Sequence, residues 1–157
     1  MKKLFVSKVR KISQNKNELE KNLDVKISIS GRNVSISGKE IDEYFASRVI
    51  EALDYPFLPE DALLLKDENY MMEVIGIKDH TRRKDFSVIR GRIIGTQGKT
   101  LKVLGDLTGC EIVVEDNNVA IIGKAEHILD AVQAVISLIQ GSKQGNVYAR
   151  LEHRNKE

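Results

Sequence analysis

The chain has 157 residues, and its 41% hydrophobic content is enough for a packed core in one medium domain or two small ones. One cysteine and three scattered histidines exclude an internal disulfide and a Cys/His cluster with metal-ligand spacing, so we expect neither a metal nor another cofactor. The net charge of +2 excludes no class of protein. Because no apolar run is long enough to cross a bilayer or to act as a signal peptide, we expect a cytoplasmic protein with no membrane contact.

Charges are segregated along the chain. Residues 40–73 contain ten acidic residues against two basic ones, whereas residues 80–102 contain seven basic residues against one acidic one. The basic region suits a polyanionic partner, since neutralisation of phosphates supplies much of the affinity for nucleic acids. The alternative for either region is a solvated face, and the acidic region also suits a basic protein partner.

The first 54 residues predict a strand at 4–9, a helix near 17–23, a hairpin and a longer helix. Apolar residues alternate on both sides of the turn Gly31-Arg32-Asn33, which is typical of a half-buried hairpin. Apolar residues three and four positions apart from Ile41 to Leu53 predict the helix that follows. Beyond it, the prolines in residues 55–59 interrupt the chain, and Pro59 is predicted to begin a short helix that reaches Leu65.

The hairpin and helix occur twice. Residues from Val25 align without a gap with residues from Cys110 at a constant shift of 85, with eight identities. The identical pairs are Ile27/Ile112, Asn33/Asn118, Val34/Val119, Ile36/Ile121, Gly38/Gly123, Lys39/Lys124, Ala46/Ala131 and Leu53/Leu138. A repeat of this kind predicts two copies of one structural unit.

The second copy reads β-α-α-β-β-α, with a strand at 70–77, a helix at 81–94, a glycine turn at 95–98 and a helix that ends near 107. In the first copy there is little room for the first helix and the glycine turn, so it is predicted to be truncated and to lack both. We therefore predict an α+β protein with a degenerate first domain at 1–54, a linker with a short helix at 55–68, a complete second domain at 69–141 and a helical tail at 142–157.

The stretch RGRIIGTQGKT, residues 90–100, has regularly spaced glycines among cations. A Walker A loop requires glycine where this chain has Ile93, and a Rossmann fingerprint requires a different glycine spacing after a strand. The pattern that fits is G-x-x-G between two helices. Its glycines let the backbone approach phosphates closely, and the next helix offers free N–H groups, as in a KH domain that holds about four unpaired nucleotides. The alternative is a simple bend between helices.

Longer motifs extend this similarity over nearly the whole chain. The segments at 70–75, 90–95 and 119–123, together with a tail that has Gly141, Gly145, Val147-Tyr148 and Leu151-Glu152, resemble the archaeal two-KH ribosome-assembly family related to the eukaryotic partner of Nob. The resemblance implies two tandem type I KH domains that bind single-stranded RNA at the 3′ region of small-subunit rRNA. It also implies cooperation with a Nob-type endonuclease in maturing that end, and contact with the alpha subunit of initiation factor two.

Candidate RNA-binding residues surround the glycine turn. They are Arg90, Arg92, Ile93, Ile94, Gly95, Thr96, Gln97, Gly98, Lys99, Lys102 and Val103. The cations are expected to contact phosphates, and the three apolar residues form either a floor for bases or part of the core.

Two departures from the family pattern bear on these expectations. Thr96-Gln97 stands where KH loops often place a basic residue, and Gln144 stands where the family tail usually has histidine. The first copy has no glycine at the positions equivalent to Gly95 and Gly98, so we expect it to have a structural or protein-binding role.

No nucleophile with a neighbouring base is evident in the sequence, and we expect the protein not to be an enzyme. Cys110 is interpreted as a small buried apolar residue. Two other functions stay open: a protein-binding scaffold with a KH fold and little RNA affinity, and a nucleotide-dependent enzyme that uses Gly98-Lys99-Thr100.

Overall fold

The protein forms two compact units in a computed structural model that describes residues 1–156. The first unit ends at Tyr70 and the second begins at Met71. Each unit contains a three-stranded sheet and packed helices, and in each the element order is β-α-α-β-β-α. The predicted α+β class and the repeated hairpin and helix are thereby confirmed.

The first unit has its third strand at the centre of the sheet, paired antiparallel to both neighbours. Its elements are β1 (Lys2–Phe5), α1 (Val9–Gln14), α2 (Lys16–Leu23), β2 (Lys26–Ser30), β3 (Asn33–Ser37), α3 (Glu40–Leu53) and the short helix α4 (Pro59–Ala62), which continues into a 3-10 turn at Leu63–Lys66. Ile27 lies opposite Ile36 across β2 and β3, and both side chains are buried. The alternation in the sequence thus places one face of the hairpin against the helices.

The second unit has the equivalent sheet order β4-β6-β5. Its elements are β4 (Tyr70–Gly76), a 3-10 turn at Ile77–His80, α5 (Phe86–Ile94), a 3-10 turn at Thr96–Gly98, α6 (Lys99–Thr108), β5 (Glu111–Glu115), β6 (Asn118–Lys124), α7 (Ile128–Ile139) and α8 (Gln144–Asn155). Its core is built from apolar side chains of all the strands and of helices α5 to α8. They are Ile75, Ile77, Ile89, Ile93, Leu104, Cys110, Ile112, Val119, Ile121, Ile128, Ala131, Ala134, Val135, Leu138, Ile139, Val147 and Leu151.

The repeat is reproduced in the packing of the two units. β2 and β5 begin 85 residues apart, and so do β3 and β6. A Cβ atom on Gly123 would lie 2.3 Å from the Cys110 Sγ atom, and one on Gly38 would lie 3.1 Å from Val25 Cγ1. Val25 and Cys110 are themselves an equivalent pair, so both units bring the end of the hairpin close to the residue before its first strand. This close approach explains why glycine occurs at both positions.

The prediction that the first unit lacks its first helix was wrong. α1 is present, although it has only six residues, and Asn15 alone separates it from α2. The two helices follow each other without a glycine, since the Asn15 N–H bonds to carbonyl oxygens of α1 while Asn15 O accepts from Leu19 N. No breaker residue marks such a junction, and so the sequence pattern did not reveal it. The absence of a G-x-x-G loop from this unit is as predicted.

Two boundaries also differ from the sequence prediction. β1 ends at Phe5, although the predicted strand continued to residue 9. α5 begins at Phe86 and not at residue 81. Before it, the Thr81 hydroxyl accepts a hydrogen bond from Arg83 N, and Arg83 pairs with Asp85. These local side-chain bonds hold the segment outside the helix.

Candidate nucleic-acid interface

The loop from Gly95 to Gly98 joins α5 to α6 through an unusual backbone conformation. Gly95 ends α5 with φ 78° and ψ 170°, a combination that is essentially restricted to glycine. Gly98 precedes α6 with φ 76° and ψ 13°, and Gln97 between them also has a positive φ of 55°. The loop is closed by a hydrogen bond of 3.1 Å from Gly98 N to Gly95 O.

The two glycines meet different surroundings. A Cβ atom on Gly95 would lie 2.2 Å from Thr100 Oγ1 and 2.6 Å from Thr100 N, so only glycine allows α5 to end against the first turn of α6. A Cβ atom on Gly98 would meet nothing within 4 Å. Gly95 is therefore required by internal packing, whereas Gly98 presents backbone to open space.

Gly91 adds a third bare position. It lies in the middle of α5, is exposed, and would meet nothing within 4 Å if it carried a Cβ atom. Glycine inside a helix destabilises it by about 1 kcal/mol relative to alanine. No internal contact at Gly91 explains this loss of helix stability. Because Gly91 and Gly95 are four residues apart, they share one side of the helix, which leaves bare backbone next to the loop.

The beginning of α6 is suited to an anion. It has no side-chain cap and no acidic residue in its first turn. Lys99 and Lys102 are exposed, and within residues 1–156 neither ammonium group has a hydrogen-bond or ion-pair partner. Two uncompensated cations thus accompany the positive end of the α6 dipole.

The two arginines of the predicted site have other partners. Arg90 donates from Nη1 to the side-chain oxygen of Asn117 in the turn between β5 and β6. Arg92 donates from Nη1 to Leu138 O at 3.0 Å and from Nη2 to Ser142 O at 2.5 Å. Both guanidinium groups are half-buried and take part in the architecture of the second unit.

The three predicted apolar residues are not equivalent. Ile93 is 0% exposed and has the second of its two predicted roles, as part of the core, so its place among the RNA-binding candidates was wrong. Ile94 and Val103 are half-buried and keep part of each side chain accessible. Ile93 faces the core because it lies on the same side of α5 as Ile89, whereas Ile94 is one residue further around the helix.

Residues outside the predicted set also support the loop. Asn117 holds Arg90, and Gln144 donates from Nε2 to the backbone oxygen of Arg92 at 3.3 Å. The sequence pattern marks Gln144 only as a departure from the family tail and does not single out Asn117. Contacts between positions more than 25 residues apart leave no trace in local periodicity.

The first unit has no counterpart of this loop. The positions that align with Gly95 to Gly98 are residues 10–13, and they form part of α1. They carry side chains on a regular helix, so the unit presents no bare backbone at that place.

Other chemistry-bearing groups do not form a second site in the described part of the chain. Cys110 is buried, and burial raises the pKa of its thiol, which donates to Thr108 O at 3.6 Å. Among residues 1–156 there is no group of three or more His, Cys, Asp or Glu side chains placed to hold a metal ion. In the same residues, the helices are too short or too polar to span a bilayer.

Comparisons with known proteins agree with this geometry. Residues 71–156 match the second KH domain of PNO1, described as a eukaryotic-type KH-domain (KH-domain type I). The chain is 33% identical over 150 residues to a KH domain-containing protein of Methanocaldococcus jannaschii, covering 90% of this chain and 66% of that protein. It is 35% identical over 105 residues to the pre-rRNA-processing protein PNO1 of Debaryomyces hansenii, covering 65% of this chain and 41% of that protein. The chain thus spans less than two thirds of the length of these relatives.

Solved structures are similar over almost the whole chain. Dim2p from Pyrococcus horikoshii OT3 has 32% sequence identity and a TM-score of 0.86, with 97% of this chain and 98% of that chain covered. The a/eIF2alpha-aDim2p-rRNA complex from Pyrococcus horikoshii OT3 gives 32% identity and a TM-score of 0.88, with 99% and 93% covered. The match over residues 71–156 is accompanied by two structural features, the glycine loop and a beginning of α6 that has no side-chain cap. The chain belongs to the type I KH-domain family, in the group of the second KH domain of PNO1.

Proposed function

We propose that the protein is a single-stranded RNA-binding factor in the processing of small-subunit rRNA. The observation that carries the proposal is the Gly95–Gly98 loop, where Gly98 faces open space beside Lys99 and Lys102. A strand of phosphates approaches closely only where the protein has no side chain and offers N–H groups and positive charge. The pre-rRNA-processing relatives and the rRNA named in the P. horikoshii complex support RNA as the ligand.

We assign distinct roles to the site residues. The backbone of Gly95, Thr96, Gln97 and Gly98 contacts phosphates, and Lys99 and Lys102 neutralise them. Ile94 and Val103 form the accessible apolar surface on which bases lie. Arg90, Arg92 and Ile93 hold the loop in position through contacts within the second unit.

The proposed place of action is the 3′ region of precursor small-subunit rRNA. There the protein binds and presents the RNA, and a Nob-type endonuclease cleaves it, so the chain itself is not the enzyme. The alpha subunit of initiation factor two is the second proposed partner, since a/eIF2alpha is named in the complex with the similar P. horikoshii protein.

The test is a titration of a fluorescent oligonucleotide from the 3′ end of small-subunit rRNA with the wild type and with the double variant Gln97→Asp, Gly98→Asp. Gln97 is exposed and a Cβ atom on Gly98 would meet nothing within 4 Å, so the fold should persist, as circular dichroism would show. We expect the double variant to lose binding, because it places bulk and negative charge at the phosphate contact. The matched control is Lys124→Asp, which makes the same total change of charge at an exposed residue at the end of β6.

Unchanged affinity in the double variant would mean that the glycines are only a bend between helices, and a protein-binding scaffold would then be the better function. The endonuclease is tested separately. Addition of the wild type to a Nob-type endonuclease and a 3′-extended rRNA substrate should increase cleavage at the mature end, and the double variant should not. ATP hydrolysis that disappears in Lys99→Ala would instead favour the nucleotide-dependent enzyme.

A further inference from the structure

Arg92 connects three elements of the second unit. It lies two residues before the end of α5, and its guanidinium donates to Leu138 O in α7 and to Ser142 O in the turn before α8. Leu138 O lies in the last turn of α7, where the helix dipole is negative, and Ser142 O lies three residues beyond the end of that helix. Arg92 therefore stabilises the end of α7 while it holds the last turn of α5.

Gln144 completes the connection in the reverse direction. Its Nε2 donates to Arg92 O at 3.3 Å, which is one of the carbonyls left without a partner at the end of α5. The first residue of α8 thus bonds to the backbone of α5 three residues before Gly95. The neighbouring carbonyl of Gly91 is taken by Gly95 N at 2.8 Å, so the last turn of α5 is held from both sides.

α8 is itself firmly attached to the unit. Val147 and Leu151 are 2% and 5% exposed within the core. Near its other end, Asn155 Nδ2 donates to Leu107 O at 2.9 Å, and Arg154 pairs with Asp130 at 2.9 Å. A helix anchored at both ends is a rigid support for the Arg92 contacts.

We propose that Arg92 is a positioning residue for RNA binding and not a phosphate contact. The Arg92 guanidinium bonds to two carbonyl oxygens, and Gln144 bonds to the backbone oxygen of Arg92. Together these bonds fix the last turn of α5 and thereby the conformation of Gly95 and the loop. The tail helix α8 is then part of the RNA-binding module. This inference rests on the proposed function, and it assigns Arg92 a different role from the one that charge counting in the sequence predicts.

The test exploits the difference between arginine and lysine. Arg92→Lys keeps the charge but cannot reach two carbonyls in a fixed fork. The variants Arg92→Lys, Arg92→Ala, Gln144→Ala and Lys102→Ala are compared with wild type for oligonucleotide affinity at several salt concentrations. Amide spectra of Gly95, Gln97 and Gly98 are recorded without RNA.

We expect Arg92→Lys to bind about tenfold more weakly with the wild-type salt slope, and to shift the three loop amides. Lys102→Ala should flatten the salt slope without moving those amides. The proposal is overturned if Arg92→Lys binds like wild type while Arg92→Ala flattens the slope, since Arg92 would then act through its charge. It is also overturned if the loop amides do not move.

If the Arg92 variants do not fold, the Gln144→Ala variant tests the proposal, because it removes a single hydrogen bond made by a half-buried side chain. Shifted loop amides with weaker binding support the proposal, and unchanged amides overturn it. A wild-type protein that binds no RNA would reject the proposed function, while the amide shifts would still test the positioning role.

Discussion

At the scale of single residues, the G-x-x-G pattern combines two requirements that the sequence alone does not separate. Gly95 has a conformation restricted to glycine and also lies against Thr100, whereas Gly98 has only a positive φ and open space around it. Gly95 is therefore important for folding, whereas Gly98 is important for the ligand that approaches the loop.

This difference predicts unequal losses of stability. Gly95→Ala should lower the free energy of unfolding by about 3 kcal/mol or more, since backbone strain alone is worth about 1–3 kcal/mol and a clash with Thr100 is added. Gly98→Ala should lower it by about 1–2 kcal/mol, the cost of a left-handed residue. Urea unfolding followed by circular dichroism measures both. Equal losses of stability in the two variants would contradict the different roles assigned to Gly95 and Gly98.

Cys110 predicts a pH dependence at the same scale. Because burial raises the pKa of its thiol in the folded state, the unfolded chain ionises first as pH rises. The contribution of Cys110 to stability is complete below about pH 8.5, where an ordinary thiol ionises, and declines as pH rises towards the folded-state pKa. Urea unfolding between neutral and alkaline pH should show a steeper decline for the wild type than for Cys110→Ala. Parallel curves would argue against a buried neutral thiol.

At the scale of elements, α8 is attached through its apolar face as well as through the Arg154–Asp130 pair. Val147 and Leu151 are four residues apart and face the core, while Arg150 is exposed. Leu151→Ala should lower the free energy of unfolding by about 2–5 kcal/mol, as is usual for buried leucine. Arg150→Ala is the matched control and should change it by no more than about 0.5 kcal/mol. Chemical denaturation gives both values, and a small effect of Leu151→Ala would mean that α8 packs loosely.

At the scale of the whole molecule, the similarity to the P. horikoshii proteins extends over nearly the complete chain. Within residues 1–156, the basic residues near the glycine loop differ in whether they already have bonding partners. Three of the seven basic residues in residues 80–102 bond to groups of the second unit, so the seven charges are not equally available to a ligand. Arg83 pairs with Asp85, and Arg90 and Arg92 bond within the unit.

Salt dependence of binding by the complete chain tests this division. Lys99→Ala and Lys102→Ala should each flatten the plot of log affinity against log salt by about 0.7, the value for one phosphate contact to a single strand. Base preference should persist in both, because bases are recognised elsewhere. Lys124→Ala, an exposed lysine at the end of β6, is the control and should leave the slope unchanged. An equal effect of Lys124→Ala would indicate nonspecific attraction by net charge.

The sequence by itself determined the α+β class, the repeat at a shift of 85 and the glycine loop, because each depends on local periodicity or on glycine at short spacing. It did not reveal α1, whose six residues end at Gln14 with no glycine or proline after them. Only the tertiary structure decided that Ile93 is buried while Ile94 is accessible, and that Arg92 bonds to Leu138 and Ser142. The reason is physical: which side chain faces the core, and which cation already has a partner, depend on contacts between residues far apart in the chain.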